Sequence, residues 1–138
     1  MIAWISTWGI RCGIATYSRF LVEQMEDVSV FCQSGEGEVE GAIPCWKRDS
    51  NFFGGIIAQI AAQGIDTVVI QHQPGLLRFS YLNELLLKLA EMDVKVFITM
   101  HNTRDRSRIF PSKRIEKAVD GLKTCSTIMV HSNADVEN

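Results

Sequence analysis

The three histidines of this chain each stand where a predicted strand ends. His72, His101 and His131 directly follow the predicted strands at 66–71, 95–100 and 127–130. An imidazole in that position can donate a hydrogen bond to a hydroxyl or phosphate, act as a general base, or bind a metal ion. It can also simply satisfy a loop carbonyl, and for each histidine alone that structural role is an open alternative. No metal site is predicted, because no Cys, His or carboxylate cluster with ligand spacing accompanies them.

The loop between Gly9 and Gly13 is a second candidate for chemistry. It connects the apolar run at positions 2–5 to an amphipathic pattern that begins at Ile14. Such a loop lets backbone approach a ligand closely and offers the N–H groups of Ile14 and Ala15 to an anion. The alternative is a tight turn that needs glycine for its backbone angles. The spacing matches neither the dinucleotide G-x-G-x-x-G nor a P-loop, so NAD is not expected.

The elements that must position these residues alternate between strands and helices. Apolar runs without alternation are typical of strands covered by helices on both faces. The pattern predicts strands at 2–5, 28–32, 42–46, 66–71, 95–100 and 127–130, and helices at 14–25, 51–64, 81–92 and 111–123, with a further helix start near Ser132. Pro44 weakens the third strand. The prediction is a Rossmann-like α/β domain, with a parallel sheet of about six strands and helices on both faces.

Composition and charge are those of an ordinary globular domain. The chain has 138 residues, 46% of them hydrophobic, which suits one domain. A net charge of -2 gives no electrostatic footprint for nucleic acid, and a solvated helix with its preceding loop is the favoured interpretation of the basic stretch from Arg104 to Lys117. Four cysteines without metal spacing or a leader predict reduced thiols and a cytoplasmic location. No apolar run reaches the roughly 18 residues of a membrane helix.

Four segments together resemble the N-terminal half of the GT-B retaining glycosyltransferases of the GT4 type. They occur in the family's order at residues 12–18 (CGIATYS), 69–75 (VIQHQPG), 97–103 (FITMHNT) and 128–135 (IMVHSNAD), so the resemblance extends over nearly the whole chain. The resemblance implies one half of a GT-B fold. This half is an acceptor domain that faces, across a cleft, a second Rossmann-like domain holding most of the nucleotide sugar.

The resemblance also implies roles for individual residues. It makes His101 and His72 catalytic residues at the reaction centre. The donor diphosphate and acceptor loop would consist of Gly9, Arg11, Cys12, Gly13 and Ile14. The acceptor pocket would consist of Gln73, Pro74, Asn102, His131 and Ser132. The implied reaction transfers a sugar from a nucleoside diphosphate to an acceptor with retained configuration, with the nucleoside-diphosphate sugar as co-substrate and no other cofactor.

These residues do not contain the second domain of that family, with its Glu-x7-Glu type motif and diphosphate-binding cations. We therefore expect the chain alone to be inactive, as a truncated N-terminal domain or as a split-enzyme subunit completed in trans. The expected partners are a sugar or lipid acceptor, the missing domain, a membrane surface contacted peripherally, and a second copy at the exposed cleft face. The competing hypothesis is a stand-alone α/β module that binds a phosphorylated small molecule or a partner protein.

Overall fold

The computed structural model describes residues 1–36, 39–103 and 114–136, and six strands run through these ranges. The strands are β1 (Ile2–Ile5), β2 (Val28–Gln33), β3 (Ala42–Trp46), β4 (Thr67–His72), β5 (Lys95–Met100) and β6 (Thr127–Val130). They form one sheet in the order β3-β2-β1-β4-β5-β6, and every neighbouring pair is parallel. The predicted Rossmann-like α/β fold is confirmed.

The helices connect these strands close to the predicted positions. The described α-helices are α1 (Gly13–Val22), α2 (Gly54–Gln63), α3 (Phe79–Glu91), α4 (Val119–Leu122) and α5 (Asn133–Val136), and a 3₁₀ turn, Ile115–Ala118, precedes α4. α3 begins two residues earlier than predicted, and α1 ends three residues earlier, at a turn. The first three residues of the predicted fourth helix, 111–113, lie outside the described residues. So does most of the basic stretch, at 104–113.

The larger core lies between the sheet and the helices α2, α3 and α4. Phe31, Ile56, Leu86 and Ile98 are at most 1% exposed within it. The buried leucines of α3, at positions 82, 85, 86 and 89, recur at three- and four-residue spacing and therefore lie on one helix face. This packing fixes the middle of the sheet, so the carboxyl ends of β1, β4 and β5 stand side by side.

A smaller core on the opposite face packs the sheet against α1. It contains Trp4 and Val69 from the sheet, with Leu21 at its border. At the end of β1, Ser6 and Ser18 share a buried hydrogen bond of 2.8 Å between their hydroxyl oxygens. That bond ties the start of the glycine loop to the helix that follows it. The helices therefore cover both faces of the sheet.

The third strand tolerates its proline because of its place in the sheet. β3 is at the edge of the sheet, beside β2. The missing backbone N–H of Pro44 therefore breaks no hydrogen bond to a strand on the other side of β3. The register between β2 and β3 shifts at Cys32 and Gln33, which pair with Pro44 and Trp46. Nε1 of Trp46 donates to the Phe31 carbonyl at 3.0 Å and anchors the edge.

Gly55, in the first turn of α2, leaves no room for a side chain. A Cβ there would overlap the carbonyl oxygen of Cys45 on β3, which is a backbone atom. We expect Gly55→Ala to lower the free energy of unfolding by roughly 1–3 kcal/mol, the usual cost of overpacking. Guanidinium denaturation measures this change.

Gly13→Ala is the matched control for Gly55→Ala. A Cβ at Gly13 meets open space at the start of α1, so alanine should leave stability unchanged or raise it. Wild-type stability in Gly55→Ala would contradict the close contact between α2 and β3.

Candidate functional site

The strand order reverses at β1, and a cleft lies above its carboxyl end. From β1 the chain adds β2 and β3 on one side and β4, β5 and β6 on the other. In open parallel sheets this reversal leaves a crevice in which ligands bind. The cleft is lined by Thr7, Ile10, Cys12, Gly13, Ile14, Arg48, Gln73, Leu76 and His101. Five residues that the sequence analysis assigned to the site therefore meet here: Cys12, Gly13, Ile14, Gln73 and His101.

The first wall of the cleft is the loop between β1 and α1. Cys12 is the N-cap of α1, and its Sγ accepts a hydrogen bond from the N–H of Ala15 at 3.4 Å. The expectation that this N–H points outward to a ligand is therefore wrong. The same sulfur lies 3.2 Å from Oγ1 of Thr7. Gly13 and Ile14 begin the helix, so their N–H groups belong to the first turn, which has no acceptors inside the helix.

The outer part of this loop contacts the turn after β2. The N–H groups of Trp8 and Gly9 both donate to Oε2 of Glu36, at 2.9 and 2.7 Å. A Cβ at Gly9 would lie 3.2 Å from the Glu36 carbonyl oxygen, so glycine allows the close approach. Arg11 is exposed and is not among the described residues that line the cleft. The backbone N–H of Gly9 is therefore already hydrogen-bonded within the chain.

A chain of hydrogen bonds runs from His131 through His101 into the sheet. Nε2 of His131 lies 3.0 Å from Nδ1 of His101, whose Nε2 lies 2.8 Å from Oε1 of Gln71. Gln71 donates from Nε2 to Oγ1 of Thr99 at 3.4 Å. Gln71 and Thr99 are buried register partners on β4 and β5. The sheet thus fixes one ring nitrogen of His101, and the exposed His131 covers the other.

The partners of His101 decide where its proton lies. In this amide orientation Oε1 of Gln71 only accepts, so Nε2 of a neutral His101 carries the hydrogen and Nδ1 accepts from His131. Partial burial and, after it, the neighbouring His131 lower the pKa of His101. The Tyr17 ring packs edge-on at 5.6 Å between its centroid and that of His101. His101 is thus neutral near neutral pH, and its accepting nitrogen faces an exposed partner.

His72 lies on the other side of the sheet from this hydrogen-bond chain. It is the last residue of β4, and its side chain lies among core residues, 2% exposed. Nε2 lies 2.7 Å from the Leu77 carbonyl, and the ring centroid lies 5.3 Å from that of Phe79. Burial lowers the pKa of His72 to about 4. This geometry favours an anchor for the turn after β4 and puts no atom of His72 in the lining of the cleft.

The turn after β4 forms a second wall, and it brings in a residue that the sequence analysis missed. Oε1 of Gln73 accepts from the N–H of Gly75 at 2.7 Å, and Pro74 is buried. Arg48, just after β3, donates from Nε to the Gly75 carbonyl at 2.9 Å and lines the cleft. A weaker signal for Arg48 was present, since it lies two residues after the predicted strand at 42–46.

The remaining predicted residues lie at the rim beside β6. Ser132 precedes α5, and its hydroxyl donates to Oδ2 of Asp135 at 2.7 Å. Oδ1 of the same carboxylate accepts from Thr103 at 2.8 Å, which joins the ends of β5 and β6. Asn102 is partly buried next to His101. The described lining of the cleft does not include Asn102 or Ser132.

The fold and the site define a class, a Rossmann-like α/β domain with a cleft at its topological switch point. Comparisons with protein-family models, curated proteins and solved structures gave no match. Within residues 1–36, 39–103 and 114–136, no three Cys, His, Asp or Glu side chains group as a metal site would require. No helix in the same ranges has the length and apolar character to span a membrane. Function is therefore inferred from the cleft.

Proposed function

We propose that this domain is the acceptor-binding half of a GT-B retaining glycosyltransferase of the GT4 type. The observation that carries the proposal is the cleft above β1, where the glycine loop, the Gln73 turn and His101 meet. A second domain, holding a nucleoside-diphosphate sugar, would close the open side of this cleft. The acceptor is a sugar or a lipid, and the nucleoside-diphosphate sugar is the co-substrate that supplies the transferred group.

His101 is assigned to a hydroxyl of the reacting sugar. Its Nδ1 carries a lone pair, and a ligand hydroxyl can donate to it when the exposed His131 moves aside. Gln71 keeps the hydrogen on Nε2, so the accepting tautomer persists during the exchange. The lowered pKa of His101 supports this role, because only the neutral ring can accept.

Arg48 is assigned to a phosphate group of the ligand. Its bond to the Gly75 carbonyl uses Nε, so the two amino groups of the guanidinium extend beyond that contact. The N-terminus of α1, across the cleft, adds backbone N–H groups. The next residue, Asp49, accepts from Nε and Nη2 of Arg78 at 3.0 and 2.7 Å, which holds the segment that carries Arg48.

The domain alone is expected to bind ligands without turnover. The groups that stabilise a leaving diphosphate would come from the second domain, and half a cleft cannot lower the barrier. Ile128 and Met129 on β6 are 43% and 40% exposed, and this apolar surface is suited to packing against a further domain, in cis or trans, or a second copy. The free thiols of all four cysteines support a cytoplasmic location.

Calorimetric titration of the isolated chain tests this proposal. A hexose phosphate should bind weakly, with a Kd on the order of 1 mM, and UDP-glucose hardly at all. Arg48→Met should weaken hexose phosphate binding by roughly tenfold, because one charge-assisted contact is lost. Lys47→Met is the matched control, since Lys47 is also exposed but does not line the cleft. Absence of hexose phosphate and lipid phosphate binding would count against the proposed function.

The alternative is a stand-alone module that binds a phosphorylated small molecule or a partner protein. The observation that favours it is the placement of Arg48 across from the start of α1, which needs no second domain to attract phosphate. Micromolar binding of a nucleotide or flavin mononucleotide by the isolated chain would support this alternative over the glycosyltransferase proposal.

A further inference from the structure

A carboxylate of the chain itself is bound by the loop after β1. Oε2 of Glu36 accepts hydrogen bonds from the N–H groups of two successive residues, Trp8 at 2.9 Å and Gly9 at 2.7 Å. Successive backbone N–H groups that converge on one oxygen are a common way for proteins to bind anions such as phosphate. We call this pair of N–H groups the oxyanion seat.

The surroundings of the oxyanion seat fix its donors. The Trp8 carbonyl belongs to the same peptide unit as the N–H of Gly9, and it accepts from Nε and Nη2 of Arg19 at 3.3 and 3.0 Å. The Arg19 guanidinium carbon lies 4.6 Å from the centre of the Trp8 ring. A cation on the carbonyl side polarises the peptide unit, so its N–H becomes a stronger donor to an anion.

The Glu36 carboxylate binds the oxyanion seat through only one of its two oxygens. Its second oxygen, Oε1, is buried and has no hydrogen-bond partner among the described residues. A buried carboxylate oxygen without a partner is costly, whereas a phosphate brings more charge and more acceptor oxygens to the same donors. The residues on either side of the seat, Thr7 and Ile10, both line the cleft. A phosphorylated ligand in the cleft is therefore adjacent to the seat.

We propose that the oxyanion seat is a phosphate-binding site and that Glu36 occupies it as an internal competitor in the ligand-free domain. A phosphoryl group that enters from the cleft displaces the carboxylate, and the turn after β2 moves away from the loop. The two states exchange one anion for another on the same two N–H groups. This exchange goes beyond the proposed function and does not require sugar transfer.

Titration of ¹⁵N-labelled protein with inorganic phosphate tests the exchange. Glu36→Ala removes the competitor, so phosphate affinity should rise by roughly tenfold or more over wild type. The amide resonances of Trp8 and Gly9 should shift as phosphate binds. Glu40→Ala is the matched control, because it removes the same charge from an exposed position nearby and should retain wild-type affinity.

Two outcomes would overturn this proposal. Equal phosphate affinities in Glu36→Ala and Glu40→Ala would show that only net charge matters, and shifts confined to other amides would place phosphate elsewhere. If Glu36→Ala loses its folded circular dichroism spectrum, Glu36→Gln replaces it, since the substituted amide retains an acceptor oxygen without the charge and should also let phosphate bind more tightly. Failure of the hexose phosphate titration would leave this result standing, because the Trp8 and Gly9 amide shifts and the difference between Glu36→Ala and Glu40→Ala report on the seat and not on Arg48.

Discussion

Replacing His101 with alanine should slow the chemical step of the two-domain glycosyltransferase proposed above by roughly 100-fold or more. The variant loses a ring nitrogen at the cleft whose tautomer is fixed by the sheet, through Gln71 and its bond to Thr99. Binding of the acceptor should change much less, because the Gln73 turn and Arg48 remain. Single-turnover transfer of a labelled sugar at saturating acceptor measures the rate of this step.

Two further variants separate a catalytic His101 from a structural one. Gln71→Glu places a carboxylate against Nε2 and raises the pKa of His101, so the acid limb of the pH–rate profile should move to higher pH. His131→Ala removes the exposed partner and should leave the rate within a few-fold of wild type, roughly the effect of an ordinary hydrogen bond. An unchanged rate in His101→Ala, with only a lower melting temperature, would assign His101 a structural role.

The fold could be predicted because its signals are local. Strands such as β4 and β5 consist of apolar residues without alternation, which only a sheet covered on both faces can bury. Gly64, in the left-handed conformation at φ 62°, ends α2 where the sequence places the end. The start of α2, predicted at 51 and observed at Gly54, and the bounds of α1 and α3 were less accurate, since a helix end depends on contacts with other elements as well as on its own residues.

The site could be predicted only in part, because it depends on which face of a strand each residue uses. Gln71 and His72 are neighbours at the end of β4, and alternation sends their side chains to opposite faces. Its residue type made His72 the predicted catalytic residue of the pair, but in the structure it is Gln71 that contacts His101. Arg48 and Glu36 reach the cleft and its loop through turns whose paths no periodicity encodes.

Lowering the pH from about 7 to about 4 should destabilise the domain by about 3 kcal/mol through His72 alone. The side chain is 2% exposed, and burial lowers its pKa from 6.5 to about 4. Between these two values the unfolded chain binds a proton that the folded chain does not. The contribution of His72 to stability is therefore complete above pH 6.5 and is lost as the pH falls toward 4. Guanidinium denaturation across this range measures the loss.

His72→Gln provides the comparison, because its amide can still donate to the Leu77 carbonyl and does not titrate. The variant should show a much shallower pH dependence of unfolding. The pH dependence that remains in His72→Gln would come partly from His101, whose pKa is also lowered. The His101→Gln variant should therefore keep the larger part of the pH dependence, which His72 causes. A wild-type slope in His72→Gln would mean that another group causes the acid sensitivity. A histidine that stays neutral down to about pH 4 does not carry the imidazolium proton that a general acid needs near neutral pH, so the same measurement bears on whether His72 could act as a general acid.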